Sequence, residues 1–320
     1  MTKIIYYIFL FSVLLLSNCK DDNTVITQHF GWLSQASNSN QRLHSVFFID
    51  SNTGWSVGNY GTIIKTTNSG ATWTPKNSNT SLALNDVYFN SIGIGIGVAS
   101  GNEIIKSNDN GENWVLINPN IYGHIIESIY LNNNNIGIAV GHFGRIIRTT
   151  NSGDNWNSIS SGTGQHLYQV RFLNDTIGWI VGEGTVLAST NSGLSWINKT
   201  SGLLDNFSCI SIIDINNIFI AGLGGKIYKT TNSGLNWISI PTGTTPNFNS
   251  INFLNLYIGW VVGSDNGTGY LYKTIDGGNS WSSQTFEINT GWNAIFMNSS
   301  LIGWVVGDNG TILKTNTGGD

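Results

Sequence analysis

The sequence predicts an all-β fold: a seven-bladed β-propeller of four-stranded antiparallel blades. Three observations point to it. Tryptophan recurs at a spacing of 40 to 44 residues. An alternating apolar segment stands at the same place in each repeat. The last repeat is cut short at the C-terminus, and its missing half stands near the N-terminus. Repeats of this length, each built of short strands, are the signature of propeller blades.

The first segment of the chain is an address. Lys3 supplies a positive start, and Ile4 to Leu16 is an apolar run broken only by Ser12. It is too short to span a bilayer, which takes about 20 residues, and reads as a secretory signal. Leu16-Ser17-Asn18-Cys19 resembles the lipobox of bacterial lipoproteins, which implies lipid attachment at Cys19 and a membrane anchor. Lys20-Asp21-Asp22 resembles the surface-export signal of Bacteroidetes lipoproteins. The expected division is a signal peptide over 1–18, a lipidated tether over 19–28 and the propeller over 29–320. The expected location is the outer membrane at the cell surface, with secretion or the periplasm as the alternative.

Each repeat opens on a strand with apolar residues two apart: Val46 and Phe48, Val87 and Phe89, Ile129 and Leu131, through to Ile295 and Met297. That period buries one face of a strand. A Gly-Trp-x-Val-Gly strand follows, as at 54–58, 178–182, 259–263 and 303–307. The third strand reads Gly-Thr-Ile-Ile-Lys-Thr at 61–66, with a close relative at 310–315. A tight turn ending in the repeat tryptophan leads into the fourth.

That turn, Thr66-Thr67-Asn68-Ser69-Gly70-Ala71-Thr72-Trp73 in the first repeat, resembles the Asp-box. Its physics is structural. Asp or Asn bonds backbone further along the turn, and Gly takes positive φ without steric cost. The tryptophan covers a seam between sheets. Asn stands at 68, 151, 191 and 232, and Asp at 109 and 276. So few carboxylates argue against calcium, which takes several.

The final box, Thr315 to Asp320, lacks its tryptophan, and Phe30-Gly31-Trp32-Leu33-Ser34 supplies one. The N-terminal strand is therefore expected to complete the last blade and close the ring.

Taken together, the Gly-Trp-x-Val-Gly strand, the Gly-Thr-Ile-Ile-Lys-Thr strand and the Asp-box resemble the photosystem II assembly and stability factor family, over nearly the whole chain after residue 28. The resemblance implies a seven-bladed propeller that binds assembly intermediates. Its photosynthetic members carry an arginine-rich patch; this chain has four arginines, and Arg145, Arg148 and Arg171 fall in neighbouring blades. With a Bacteroidetes-like export signal, the domain is expected without a photosynthetic role.

Composition excludes several functions. Net charge is −4 with no basic run, which argues against nucleic acid. None of the five histidines (His29, His44, His124, His142, His166) has metal-ligand spacing, and no cofactor or metal is expected. Cys209 falls on a strand and reads as a small buried hydrophobe. Lys65, Lys106, Arg148, Lys229, Lys273 and Lys314 share one repeat position, broken by Ala188, and read as local pairing partners or edge guards.

What remains for function is the face made by the second-to-third-strand loops and the blade-to-blade loops. Candidate binding residues there are Arg42, Tyr60, His142, Phe143, Arg145, Glu183, Phe248, Asp265, Trp292 and Asp308. Aromatics beside charges anchor proteins or sugars. The expectation is a non-enzymatic, monomeric binding or assembly scaffold with a protein or glycan partner. The alternative is a glycoside hydrolase, sialidase-like or xyloglucanase-like. Sialidases need three converging arginines, and here three lie close in sequence with no Arg-Ile-Pro motif. A xyloglucanase needs two facing carboxylates, for which Glu183, Asp265 and Asp308 are candidates, although turn chemistry also explains them.

Overall fold

The computed structural model describes residues 31–119, 125–286 and 288–320. Cys19, the tether, His29, Phe30 and His124 lie outside the described residues. Among those described, seven four-stranded antiparallel sheets form the blades. The first blade comprises Leu43–Phe48, Gly54–Gly58, Ile63–Thr66 and Thr74–Lys76. The inner strands of the next six are Leu84–Phe89, Ile126–Leu131, Leu167–Phe172, Phe207–Ile212, Asn247–Phe253 and Trp292–Met297.

The seventh blade takes its outer strand from the start of the chain. Leu33–Gln35 pairs with Ile312–Thr315, in the register Leu33 to Lys314, Ser34 to Leu313 and Gln35 to Ile312. Trp32 is fully buried and fills the place of the missing box tryptophan. Gly31 lies so close to Gly319 that a Cβ would sit 2.1 Å from its carbonyl oxygen.

The core is not single. Seven apolar clusters lie on the seven seams between neighbouring blades. Their recurring unit is an inner-strand aromatic stacked on a second-strand aromatic of the previous blade. Phe89 stacks on Trp55 at 3.6 Å, Phe48 on Trp304 at 3.6 Å and Phe253 on Phe219 at 3.7 Å. Cys209 is fully buried in one seam, and burial pushes its thiol up to about 12.

The six boxes with Asn or Asp close through the same bonds, and the last, with Thr317 there, keeps only those to Thr315 Oγ1. In the first, Asn68 Oδ1 accepts from Thr66 Oγ1 at 3.0 Å and Thr72 N at 2.9 Å, while Gly70 N donates to Thr66 Oγ1 at 2.8 Å. Asp109 and Asp276 accept the same set, and bonds from Asn113 (backbone and amide) and from Ser280 (hydroxyl and backbone) hold their carboxyls down at about 2.

The basic ring is an inter-blade stitch. On three third strands the cation crosses to the box of the next blade and meets the acid after the box glycine. Lys65 reaches Glu112 at 2.7 Å, Lys106 reaches Asp154 at 2.6 Å and Lys273 reaches Asp320 at 2.6 Å. Where Leu194 replaces the acid, Arg148 Nε bonds the Ser192 carbonyl at 2.9 Å. The local-pairing expectation holds at these four positions.

Candidate functional site

The seven inner strands line a central channel, and their residues repeat in register. The first position is core: Leu43, Leu84, Ile126, Leu167, Phe207, Phe248 and Trp292 are all fully buried. This corrects two expected anchors. Phe248 and Trp292 stand where the other blades place Leu, Ile or Phe, so their rings pack between sheets and are closed to a ligand.

The second position forms the rim of the channel, where His44, Asn85, Glu127, Tyr168, Ser208, Asn249 and Asn293 surround a 130 Å³ polar cavity. Several of these side chains bond the residue 15 places on, at the start of the second-to-third-strand loop. His44 Nε2 meets Asn59 Oδ1 at 2.7 Å and His142 Nε2 meets Glu127 Oε1 at 2.7 Å. Tyr168 donates to Glu183 Oε1 at 3.1 Å, and Asn293 donates to Asp308 Oδ1 at 3.2 Å. Burial, then Glu183, pushes the Tyr168 phenol up to about 12. Arg42 adds a bond to Asp308 at 3.0 Å and one to Asn293 at 2.8 Å. Thus His142, Glu183, Asp308 and Arg42 lie on the rim.

Two candidates stand out in their backbone. Four blades turn from strand two to strand three through the same three-residue turn: Asn59–Gly61, His142–Gly144, Leu223–Gly225 and Asp308–Gly310. Its central residue is left-handed in each: Tyr60 at φ 54, Phe143 at φ 56, Gly224 at φ 66 and Asn309 at φ 57. Gly and Asn tolerate this region, whereas bulky side chains in it are outliers. Yet Tyr60 is 74% exposed and Phe143 58%. Phe143 leans on His166, ring centroids 4.8 Å apart, and His166 lies 4.0 Å from His142. His166 and Tyr168 therefore belong to the rim, which sequence reasoning missed; the 15-residue pairing is the signal that finds Tyr168.

Arg145 begins the strand after the Phe143 turn and is half-buried, with its pKa lowered by desolvation. Asp265 ends a strand. The strands extend through Asp265 and from Thr268, joined by the two-residue turn Asn266-Gly267 with φ 49 and 80. Asn-Gly is the favoured pair for such a hairpin, so Asp265 stands at the tip of a projecting ribbon.

Deeper in the channel lies a 280 Å³ cavity with two charges. Asp86, 5% exposed, accepts from Ser45 Oγ at 2.7 Å and Ser128 Oγ at 2.8 Å. Arg171 Nη1 reaches Asp86 Oδ2 at 3.5 Å and donates to the Val170 carbonyl at 2.9 Å. At Asp86's register other blades carry Ser45, Ser128, Gln169, Cys209, Ser250 and Ala294. At Arg171's they carry Phe47, Tyr88, Tyr130, Ser211, Asn252 and Phe296. Both charges therefore depart from the repeat. Among the described residues, no group of three or more His, Cys, Asp or Glu side chains is placed to hold a metal, and no helix is long and apolar enough to cross a membrane.

Comparison with known proteins matches this architecture. The photosynthesis system II assembly factor YCF48 family matches residues 25–164 and 154–246. A structure of YCF48 bound to D1 peptide is similar at 21% identity and a TM-score of 0.76, over 91% of this chain and 96% of that one. YCF48 from Cyanidioschyzon merolae is similar at 20% identity and a TM-score of 0.73, over 89% and 98%. The GH74 xyloglucanase from Xanthomonas campestris shares the fold at 12% identity and a TM-score of 0.72, over 90% of this chain and 54% of that one. No curated protein matches the chain by sequence. The family match runs over well more than half of the chain, and the chain belongs to the photosynthesis system II assembly factor YCF48 family.

Proposed function

We propose that the propeller is a non-enzymatic binding module that holds a segment of a partner protein on its loop face. One observation carries this reading: Tyr60 and Phe143 are exposed aromatics held in left-handed backbone where sister blades use Gly224 and Asn309. Such a conformation costs of order 1–3 kcal/mol per residue and recurs at ligand clamps. Tyr60 is open to solvent, and Phe143 is covered only in part, by His166. Exposed aromatics beside charged rim groups are the usual anchors of protein recognition. The D1 peptide bound to the similar YCF48 structure supports a peptide as the ligand class for this fold. The lipobox-like run ending at Cys19 supports an outer-membrane, surface-exposed lipoprotein as the carrier of the module.

A glycoside hydrolase would need two carboxylates facing across a cleft. Two of the three candidate acids here are engaged by neighbours instead: Glu183 by Tyr168, and Asp308 by Arg42 and Asn293. The test is affinity capture from the native outer membrane with the full chain, beside a glycan array. Capture of a protein by the wild type, lost in Tyr60→Gly/Phe143→Gly, supports the reading. Retention of glycans without any protein overturns it.

A further inference from the structure

Three cations of the stitch face no acid: Arg148 faces Leu194 and bonds the Ser192 carbonyl instead, Lys314 faces Ala71, and Lys229 faces Asn279. Lys229 occupies the register of Lys65, Lys106 and Lys273, each of which meets a carboxylate on the next blade. The residue that faces Lys229 by register is Asn279, and its amide turns back to the Asp276 carbonyl at 2.7 Å. Lys229 makes no hydrogen bond or ion pair among the described residues; it lies over the Phe219 ring, 5.0 Å from the centroid. A groove of 580 Å³ opens at this place, on the perimeter between the fifth and sixth blades. Ile238, Pro241, Leu256 and Tyr257 supply its apolar walls. Ile238 and Tyr257 are 61% and 63% exposed.

The outer strand Ile238–Ile240 pairs only with Ile227–Thr230, so its other edge is open beside the groove. Asp276 also lines the groove, but its carboxylate is taken by Ser280 and Thr274 of its own turn. The second blade shows that a box aspartate does not exclude a second acid: Asp109 and Glu112 share one turn, and Lys65 takes Glu112.

We propose that this groove is a second binding site, separate from the loop face, for an extended segment of a partner protein that carries an acidic side chain flanked by apolar ones. The partner's carboxylate takes the place on Lys229 that Glu112, Asp154 and Asp320 take on the sister lysines. Its apolar neighbours lie against Ile238, Pro241, Leu256 and Tyr257, and its backbone adds to the open edge of Ile238–Ile240. Strand addition of this kind draws affinity from main-chain bonds and selectivity from alternate side chains. A carboxylate is the partner that the repeat itself selects for this lysine.

The test uses the full chain and a blocked, fluorescent peptide, Val-Leu-Glu-Leu-Val, with its glutamine twin, Val-Leu-Gln-Leu-Val. The wild type is expected to bind the glutamate peptide about tenfold more tightly than the twin. Lys229→Met removes that difference, and Lys229→Arg keeps it. Asn279→Asp supplies the carboxylate from within the chain. It is expected to raise the melting temperature and to weaken the glutamate peptide at least tenfold. Lys314→Met, at the same register facing Ala71, leaves binding unchanged. Equal binding of the two peptides, no binding of either, or a preference that survives Lys229→Met would each overturn the proposal. So would unaltered binding to Asn279→Asp, a variant with the acid already found at two sister positions.

Discussion

Asp86 and Arg171 belong to the second and fourth blades and meet across the third, Nη1 standing 3.5 Å from Oδ2 with Ser128 between them. The carboxylate is almost wholly buried, and its remaining lone pairs are filled by Ser45 Oγ and the backbone N–H groups of Val87 and Ile129. Removing one partner of such a pair strands the other, at roughly 3–5 kcal/mol. Asp86→Ala is therefore expected to lower stability by about that much in urea unfolding. Asp86→Ala/Arg171→Met should recover part of the loss, because neither charge is then left alone. A loss under about 1 kcal/mol in Asp86→Ala would show the channel to be wet enough to solvate the pair.

Ring closure rests on a place with no room for a side chain. A Cβ on Gly31 would sit 2.1 Å from the rigid Gly319 carbonyl oxygen. Gly31→Ala should thus separate the N-terminal strand from Ile312–Thr315. Trp32→Ala, which empties a fully buried site, is expected to cost about 3–5 kcal/mol. Thermal melts and hydrogen exchange at Leu33 to Gln35 check both.

The loop-face anchors make the opposite prediction. Tyr60→Gly and Phe143→Gly relieve left-handed strain while adding freedom to the unfolded chain, so their stability should stay within about 1 kcal/mol of the wild type. Binding at the loop face should nevertheless fall. A stability loss above about 2 kcal/mol would mark the rings as structural.

Acid stability should follow the boxes. Asp109 and Asp276 sit at about 2 against a usual value of 3.8, so the folded state binds fewer protons than the unfolded chain. Their contribution is full above about 4 and lost as pH falls toward 2. Asp109→Asn and Asp276→Asn should flatten the stability profile in that window. Burial lowers the pKa of His44 from 6.5, so its neutral form is favoured in the fold and stability declines as pH falls below that value. His44→Gln should remove this second slope, measured by urea titrations from pH 7 to 4.

The scaffold was legible because it is written seven times. Tryptophan spacing, box chemistry and the split last repeat all report on bonds that recur at one register, such as Thr66 to Asn68 and Ser107 to Asp109. The site was less legible because its residues act once. Phe248 and Trp292 follow loops in sequence and looked exposed, but their register is that of Leu43 and Leu84, which faces a seam. Aligning the repeats position by position separates these cases. Asp86 and Arg171 are 85 residues apart, and no local spacing joins them. They show only as departures from what sister strands carry. Glu127 with His142 and Tyr168 with Glu183 are nearer, at a constant 15 residues, and could have been found from that constancy.

The clasp of the seventh blade also has a mechanical meaning. Every other strand pairing within a blade joins strands that follow one another in the chain, so tension there must break a blade from within. The N-terminal strand is held by three register pairs and one buried indole ring. A pull exerted through residues 1–30 is delivered first to Trp32 and its three-residue strand, before any complete blade is loaded. The ring thus has a defined weak link at the point where the preceding segment joins it. The force that opens it is set by how firmly Trp32 is seated beneath Gly319.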